Sequence, residues 1–380
     1  MSLVLDEHRQ YLSDTIRLAA FRAAIQEVIK PGNVVIDLGA GTGILGLLAC
    51  RAGATRVYSI ESTGLIQLTR EICQANGCSD RIQFINELSA QASLPELADV
   101  VVADQIGCFG FEAGLFEYFR DARQRFLKPD GITIPSRIDL VIAPIDSQQL
   151  RDQVEFWNTA PAEFDFRPVK AMAVNNSYPA TFTPDQLLGD PAILASLDAS
   201  DAPPSLLGLT ATVTVSKPGT LHGIGGWFSA TLSPSVTLTN SPLSENRIDR
   251  QNMFFPIDQP VPVVPGDRIL ITMSILPTDM VITWKVVVQS ATGNVNKASF
   301  SHSTIQGMLL SKEALQKTKP DFIPTLTPRA EARRTVLELC TGKNTLAEIE
   351  RETYRRHATL FRSLDEAAKF VTDVTTRNTL

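Results

Sequence analysis

The sequence predicts an α/β domain with a mostly parallel sheet wrapped by helices, then an antiparallel β-barrel or sandwich, then a small helical domain. Three observations predict this. Between 32 and 144, short apolar runs at 33–38, 56–60, 82–85, 99–103 and 138–143 alternate with helical patterns at 44–52, 64–76 and about 112–126, with a short one near 94–98. Such alternation implies βαβ units. From 206 onward, β-branched runs at 207–216, 222–231, 234–238, 252–257, 268–276 and 280–290 are separated by turns such as Lys217-Pro218-Gly219 and Pro265-Gly266-Asp267, an antiparallel pattern. Beyond Pro320, Pro324 and Pro328, helical spacing returns at 329–340, 345–354 and 363–375, with Thr345 as an N-cap.

The parallel segment begins with Val34–Leu38, an apolar run too short for a helix, which reads as a strand buried on both faces. Glycines follow at 39, 41 and 43, then a Leu- and Ala-rich helix over 44–52 that stops at Gly53. Strand, glycine turn and helix form the plan of a nucleotide-binding βα unit. The spacing is GxGxG, however, and Asp37 ends the strand just before it. A helix N-terminus there would suit a pyrophosphate, but an acid beside it would repel one and suit an ammonium or sulfonium. The second strand, 56–60, ends at Glu61, placed to accept from ribose hydroxyls. Asp37 and Glu61 without a phosphate site point to S-adenosylmethionine, against the plainer reading of a βα turn with incidental acids.

Composition narrows the class. A chain of 380 residues exceeds one core, so two or three domains are expected. Net charge −6 and a pI near 5.4 argue against a nucleic-acid surface. Five cysteines without ligand spacing fit reduced thiols in the cytoplasm, and four scattered histidines offer no zinc pattern, so no metal is expected. The N-terminus lacks a signal-peptide pattern, and no apolar run approaches the ~20 residues that span a bilayer.

Residues 7–30 read as one helix, with Asp14 and Arg17 three apart on one face, by themselves a surface ion pair. The run 99–103 ends at Asp104, on the ligand side of a parallel sheet, and Glu112 follows a glycine-containing loop. Two acids flanking that loop are candidates for gripping a cation or removing a proton; alternatively Glu112 caps the next helix. Helices are also expected at 149–158, 183–188 and 191–197.

With these residues in view, the chain resembles the protein arginine methyltransferases over about 8–300, within the S-adenosylmethionine-dependent enzymes built on a Rossmann-like sheet. The motifs are His8…Tyr11-Leu12-Ser13-Asp14…Arg17, Val35-Ile36-Asp37-Leu38-Gly39-Ala40-Gly41-Thr42-Gly43, Val57-Tyr58-Ser59-Ile60-Glu61, Asp104-Gln105-Ile106-Gly107…Glu112, His222-Gly223-Ile224…Trp227-Phe228 and Asn240-Ser241-Pro242. The resemblance implies a cofactor-covering helix at 1–31, a Rossmann-like domain at 32–145, and a β-barrel substrate domain at 146–305 with a helical dimerisation arm at about 160–205. A linker and small helical domain would fill 306–380. It implies that Arg17 pairs with the methionine carboxylate, that Gly39 and Gly41 approach the cofactor with Asp37 beneath it, that Glu61 holds the ribose, and that His8 and Tyr11 close the site. Asp104 and Glu112 would be the substrate acids of an N-methyltransferase acting on a guanidino nitrogen of a small molecule or peptide, with S-adenosylhomocysteine as product and a homodimer as the assembly.

Departures from the family fall on the substrate side. The leading acid is aspartate, one methylene shorter, and the loop to Glu112 is one residue shorter. The family's threonine-histidine-tryptophan loop aligns with Arg247-Ile248-Asp249, so the histidine that would pair with Asp14 is Ile248. The acid near the adenine is not fixed: Glu87 or Ser89 can serve. A different acceptor, methylated on oxygen or another nitrogen of a natural product, is the alternative; a non-catalytic cofactor-binding module is a third. The stretch 336–349 faintly resembles winged-helix-like domains that hold leader peptides in ribosomal-peptide biosynthesis, or is simply a helical appendage.

Overall fold

The computed structural model describes residues 3–199, 201, 206–277, 279–293, 295–309 and 312–379. It divides into two compact units, 1–308 and 309–380. In the first, the expected single N-terminal helix is two: α1 (Leu3–Ser13) and α2 (Thr15–Val28). Asp14 leaves helical geometry between them and accepts the Arg17 N–H at 2.9 Å, because aspartate satisfies a helix start better than it continues one.

The parallel sheet contains β1 (Val34–Leu38), β2 (Arg56–Ile60), β3 (Ile82–Ile85), β4 (Ala98–Val102) and β5 (Leu127–Ile134), in the order β3-β2-β1-β4-β5. Every residue of β1 is buried, as a strand covered on both faces must be. Helices α3 (Ile44–Ala52), α4 (Leu65–Ala75) and α5 (Leu115–Arg125) complete the alternation. No helix forms at 94–98; the segment is too short to repay nucleation, carries Pro95, and runs into β4. The sequence does not announce β5, because Pro129, Asp130 and Gly131 look like a turn; an edge strand tolerates them.

The chain then enters β6 (Arg137–Ile145), which joins an antiparallel sheet rather than extending the parallel one. Outside the sheets lie α6 (Gln148–Glu155), single 3₁₀ turns and α7 (Lys170–Ala173). Trp157 and Tyr178 pack there against a small separate cluster of Val154, Ala173 and Val174. Next come β7 (Tyr178–Ala180), β8 (Ala192–Asp198), β9 (Leu207–Thr214), β10 (Gly219–Ser233), β11 (Val236–Thr239), β12 (Asn252–Val263), β13 (Arg268–Leu276), β14 (Val281–Gln289) and β15 (Asn296–Ser303). One sheet runs β7-β12-β10-β6-β8 with β11 against β10; the other runs β15-β14-β13-β9. Two expectations change here. The helix expected at 191–197 is the strand β8, because pairing along β6 overrides local helix propensity. Only one 3₁₀ turn, Pro184–Gln186, stands where 183–188 suggested a helix. The arm assigned to 160–205 therefore contributes the strands β7 and β8 from Tyr178 onward, with 200 and 202–205 outside the described residues; the helical excursion is 148–173.

The second unit comprises α8 (Lys312–Gln316), α9 (Pro328–Leu339), α10 (Leu346–Arg356) and α11 (Leu364–Asn378). It has its own core, including Val336, Ile349, Phe361, Phe370 and Val371. Thr345 caps α10 in a reciprocal pair with Glu348, as its sequence position suggests. Among the described residues no helix is long and apolar enough to cross a membrane, and no acidic, cysteine or histidine cluster is arranged to hold a metal.

Candidate active site

Sheet order reverses between β1 and β4, and ligands bind outside the carboxyl ends of strands at such a switch point. Gly39 follows β1 there and Asp104 follows β4, with Asp37 and Val102 directly paired beneath them.

On the β1 side, Gly39, Gly41 and Gly43 all have positive φ, between 55° and 78°. The turn is tied to β2 by Gly39 and Ala40 N–H groups donating to the Ile60 carbonyl at 2.9 and 3.0 Å. Glu61 accepts the Gly41 N–H at 3.1 Å and the Thr63 N–H at 2.9 Å, which fixes its carboxylate at the end of β2. Gly39, Glu61, Glu87, Ser89, Gln105 and Tyr118 line a cavity of about 120 Å³. Thus Glu87 and Ser89 both reach this cavity. Gln105 and Tyr118 have no sequence signal beyond Gln105 following the strand-end acid.

The buried chemistry fits a ligand that lies close to the backbone. A Cβ on Gly39 would lie 1.9 Å from Gln105 Nε2, and one on Gly41 would lie 2.5 Å from His8 Cε1. A Cβ at either position would have to push those side chains aside, and the positive φ favours glycine at both. Gln105 Oε1 is buried without a partner. Asp37 is fully buried below the turn: one oxygen accepts the Gly46 N–H of α3 at 2.8 Å, and the other has no partner. Burial pushes its carboxyl up to about 7. A cation above the turn would stabilise that acid. The residues present fit a compact sulfonium-bearing nucleoside, with acceptors at Glu61 and no phosphate site.

The β4 side opens into a larger cavity of about 680 Å³, lined by Tyr11, Asp14, Asp104, Cys108 and the 247–252 segment among others. Asp104 is buried there and holds two guanidinium groups. Arg17 Nε donates to Oδ2 at 2.5 Å; Arg250 donates through Nη1 to Oδ1 at 3.2 Å and through Nη2 to Oδ2 at 3.0 Å. Burial alone would raise the Asp104 carboxyl, but Arg250 and then Arg17 outweigh it and hold it below the usual carboxylate range. Arg17 also donates to the Tyr11 carbonyl at 3.2 Å, and its guanidinium lies over the Tyr11 and Phe21 rings. His8 and Tyr11 stand edge to face, 6.1 Å apart.

Glu112 does not share that wall. Its carboxylate folds into its own loop and accepts the N–H groups of Phe109 at 2.7 Å and of Gly110 and Phe111 at 3.0 Å each. It therefore caps the loop, not α5, whose N-cap is Gly114. Burial pushes its carboxyl above the ordinary value, against those hydrogen bonds. Asn240 secures the loop: its amide donates to the carbonyls of Cys108 and Gln251 at 2.8 Å each, while its Oδ1 accepts the Phe228 N–H at 3.0 Å. One side chain thus ties the acid loop to β10 and to the segment carrying Arg250. Arg250 escaped sequence reasoning because it lies in an irregular loop; its position after Arg247-Ile248-Asp249 was the one signal.

Comparison with known proteins shows the family and the fold. The arginine methyltransferase oligomerization subdomain matches residues 136–288, and the family described as ribosomal protein L11 methyltransferase (PrmA) matches 20–139. The chain is 30% identical over 287 residues to protein arginine N-methyltransferase 6 of Xenopus laevis, covering 72% of this chain and 84% of the relative. It is 30% identical over 277 residues to an arginine N(omega)-methyltransferase of Streptomyces achromogenes subsp. streptozoticus, covering 70% and 75%. Protein arginine methyltransferase 10 of Arabidopsis thaliana shares the fold, with a TM-score of 0.69 at 23% identity over 79% of this chain and 98% of that one. So does the Trypanosoma brucei enzyme-prozyme complex solved with AdoHcy, with a TM-score of 0.70 at 20% identity over 78% and 97%.

Proposed function

Because this chain belongs to the protein arginine methyltransferase family of S-adenosylmethionine-dependent enzymes, we propose that it methylates a guanidino nitrogen of a small molecule or peptide. S-adenosylmethionine, when bound, supplies a methyl group on a sulfonium, open to in-line displacement by nitrogen. Gly39, Gly41, Glu61 and Glu87 are the residues we assign to hold it, with Asp37 beneath and His8, Tyr11 and Arg17 covering. Asp104 and Glu112 are the acids assigned to the acceptor.

The observation that carries this reading is Asp104 itself. It lies at the end of β4 across from the glycine turn and already holds a guanidinium in two-point geometry. A site that accommodates the chain's own arginine so closely suits the same group on a substrate. Most of the rate would come from fixing the acceptor nitrogen in line. Methylation requires that nitrogen to lose a proton, and Glu112 is the group we assign to take it, for which its carboxylate has to turn out of the hydrogen bonds it makes to its own loop.

The exposed side chains of Phe156 and Phe164 on the 148–173 excursion support a homodimer formed through that segment. All five cysteines are free, which suits the cytoplasm.

Radiolabelled methyl donor incubated with free arginine, arginine peptides and lysate metabolites tests the function. Label in a guanidine is the expected result; label only in a compound without nitrogen overturns it. A second reading, an acceptor other than arginine, is favoured by two observations: both oxygens of Asp104 are taken, and Ile248 stands where the resemblance leads one to expect histidine.

A further inference from the structure

Arg250 is a cation in the cavity wall that the reading above leaves without a task. Its guanidinium lies 5.9 Å from each of the Tyr11 and Phe228 rings and spans both oxygens of Asp104. An acid with aromatic faces beside it recognises a planar guanidinium, and here the chain fills that place itself. Asp104 has no two-point face left for an acceptor. The group of Asp104, Arg17 and Arg250 already carries a net charge of +1. A further guanidinium arriving alone would make it +2 out of water, which is strongly unfavourable. Arg250 cannot simply step aside either. Its side chain is 12% exposed, and an arginine left there without an anion bears the full cost of a buried charge.

Resting on the guanidine-methylation reading, we propose that the acceptor is a free guanidino amino acid that exchanges partners with Arg250. Its guanidinium takes Asp104, and its own α-carboxylate takes the displaced Arg250, with Arg247 on the same cavity wall. The exchange leaves the net charge of the buried group at +1, because guanidinium and carboxylate enter together. Asp249, exposed on that wall, suits the α-ammonium. An arginine inside a peptide chain has an amide in place of the carboxylate and leaves Arg250 stranded. Arg250 is thereby the specificity-determining residue for the size and charge of the acceptor.

The experiment compares arginine, argininamide and agmatine as acceptors for the full-length wild type, Arg250→Met and Arg250→Lys. For the wild type, kcat/KM for arginine should exceed that for either analogue, both of which lack the carboxylate, by about 30-fold. Arg250→Met should compress the ratio to about 3-fold, and Arg250→Lys, a cation without the fork, should fall between. S-adenosylhomocysteine affinity and melting temperature report whether each variant folds; if Arg250→Met does not, the wild-type and lysine ratios still decide. A wild type that uses argininamide as well as arginine, or a folded Arg250→Met that keeps the full ratio, overturns the partner exchange and leaves guanidine methylation standing. Absence of label in any guanidine, free or peptide-bound, removes both.

Discussion

The Asp14 carboxylate accepts the main-chain N–H of Asp249 at 2.8 Å, across 235 positions of sequence. In the family this chain belongs to, a histidine side chain is the expected partner at 248. Here Ile248 is 2% exposed and packs in the core, and the contact passes one residue on, to the backbone. A main-chain donor needs no particular side chain, so the loop can lose its histidine and keep its anchor. The other Asp14 oxygen caps α2, so one acid couples that helix to the Arg250 loop.

Asp14→Ala removes both links. Loss of the cap costs about 1 kcal/mol, seen as a lower melting temperature, and the released loop should raise KM for the acceptor more than Kd for S-adenosylhomocysteine. Unchanged acceptor kinetics would reduce Asp14 to a helix cap.

Glu112→Gln should abolish methyl transfer while S-adenosylhomocysteine affinity stays within about 3-fold, since Glu112 touches no part of the glycine turn. Its amide NH₂ would face backbone N–H donors, so stability should fall by about 1–3 kcal/mol. Lost cofactor binding would show that the acid has another role.

Gly39→Ala and Gly32→Ala form a matched pair. Both have positive φ, but a Cβ on Gly39 meets Gln105 at 1.9 Å, whereas one on Gly32 meets nothing within 4 Å. Both should lose about 1 kcal/mol of stability; only Gly39→Ala should also weaken cofactor binding, by at least about 10-fold. Equal calorimetric affinities in the two variants would refute the close approach at Gly39.

Asp37 gives a pH signature. Burial raises its folded value to about 7 from 3.8, so below 3.8 both folded and unfolded chains hold the proton and there is no penalty. As pH rises through that window the unfolded state releases it first, and native stability declines until about 7. The melting temperature of cofactor-free Asp37→Asn relative to wild type should therefore climb from pH 4.5 to 8. A flat difference would mean the carboxyl is ionised throughout.

The dimer proposal is best tested on the helical excursion. Deleting 170–200 would remove α7 and both β7 and β8, wrecking the sheet. Phe156→Asp with Phe164→Asp instead alters two exposed rings, 49% and 69% accessible. Light scattering should then give the monomer mass; a dimer mass would place the interface elsewhere.

Local sequence pattern is enough to give β1, the glycine turn, α3 and the acid closing β2, along with the alternation that makes the sheet parallel. Each is a local matter of apolar runs, turn residues and spacing, and a single strand buried on both faces has few alternatives. It also placed Asp104 at a ligand-facing strand end and located the altered 247–249 loop. Tertiary structure decided the rest. The segment 192–198 has helix-forming residues and became a strand because β6 offered its backbone partners. Asp104 and Arg250 lie 146 positions apart, and nothing periodic links them. Glu112 turned inward because three neighbouring N–H groups of its loop needed an acceptor, a demand of backbone geometry that composition does not record. The glycine-turn side is written in short-range pattern; the Asp104 side is set by long-range ion pairing, whose energy exists only after folding brings the charges together and excludes water.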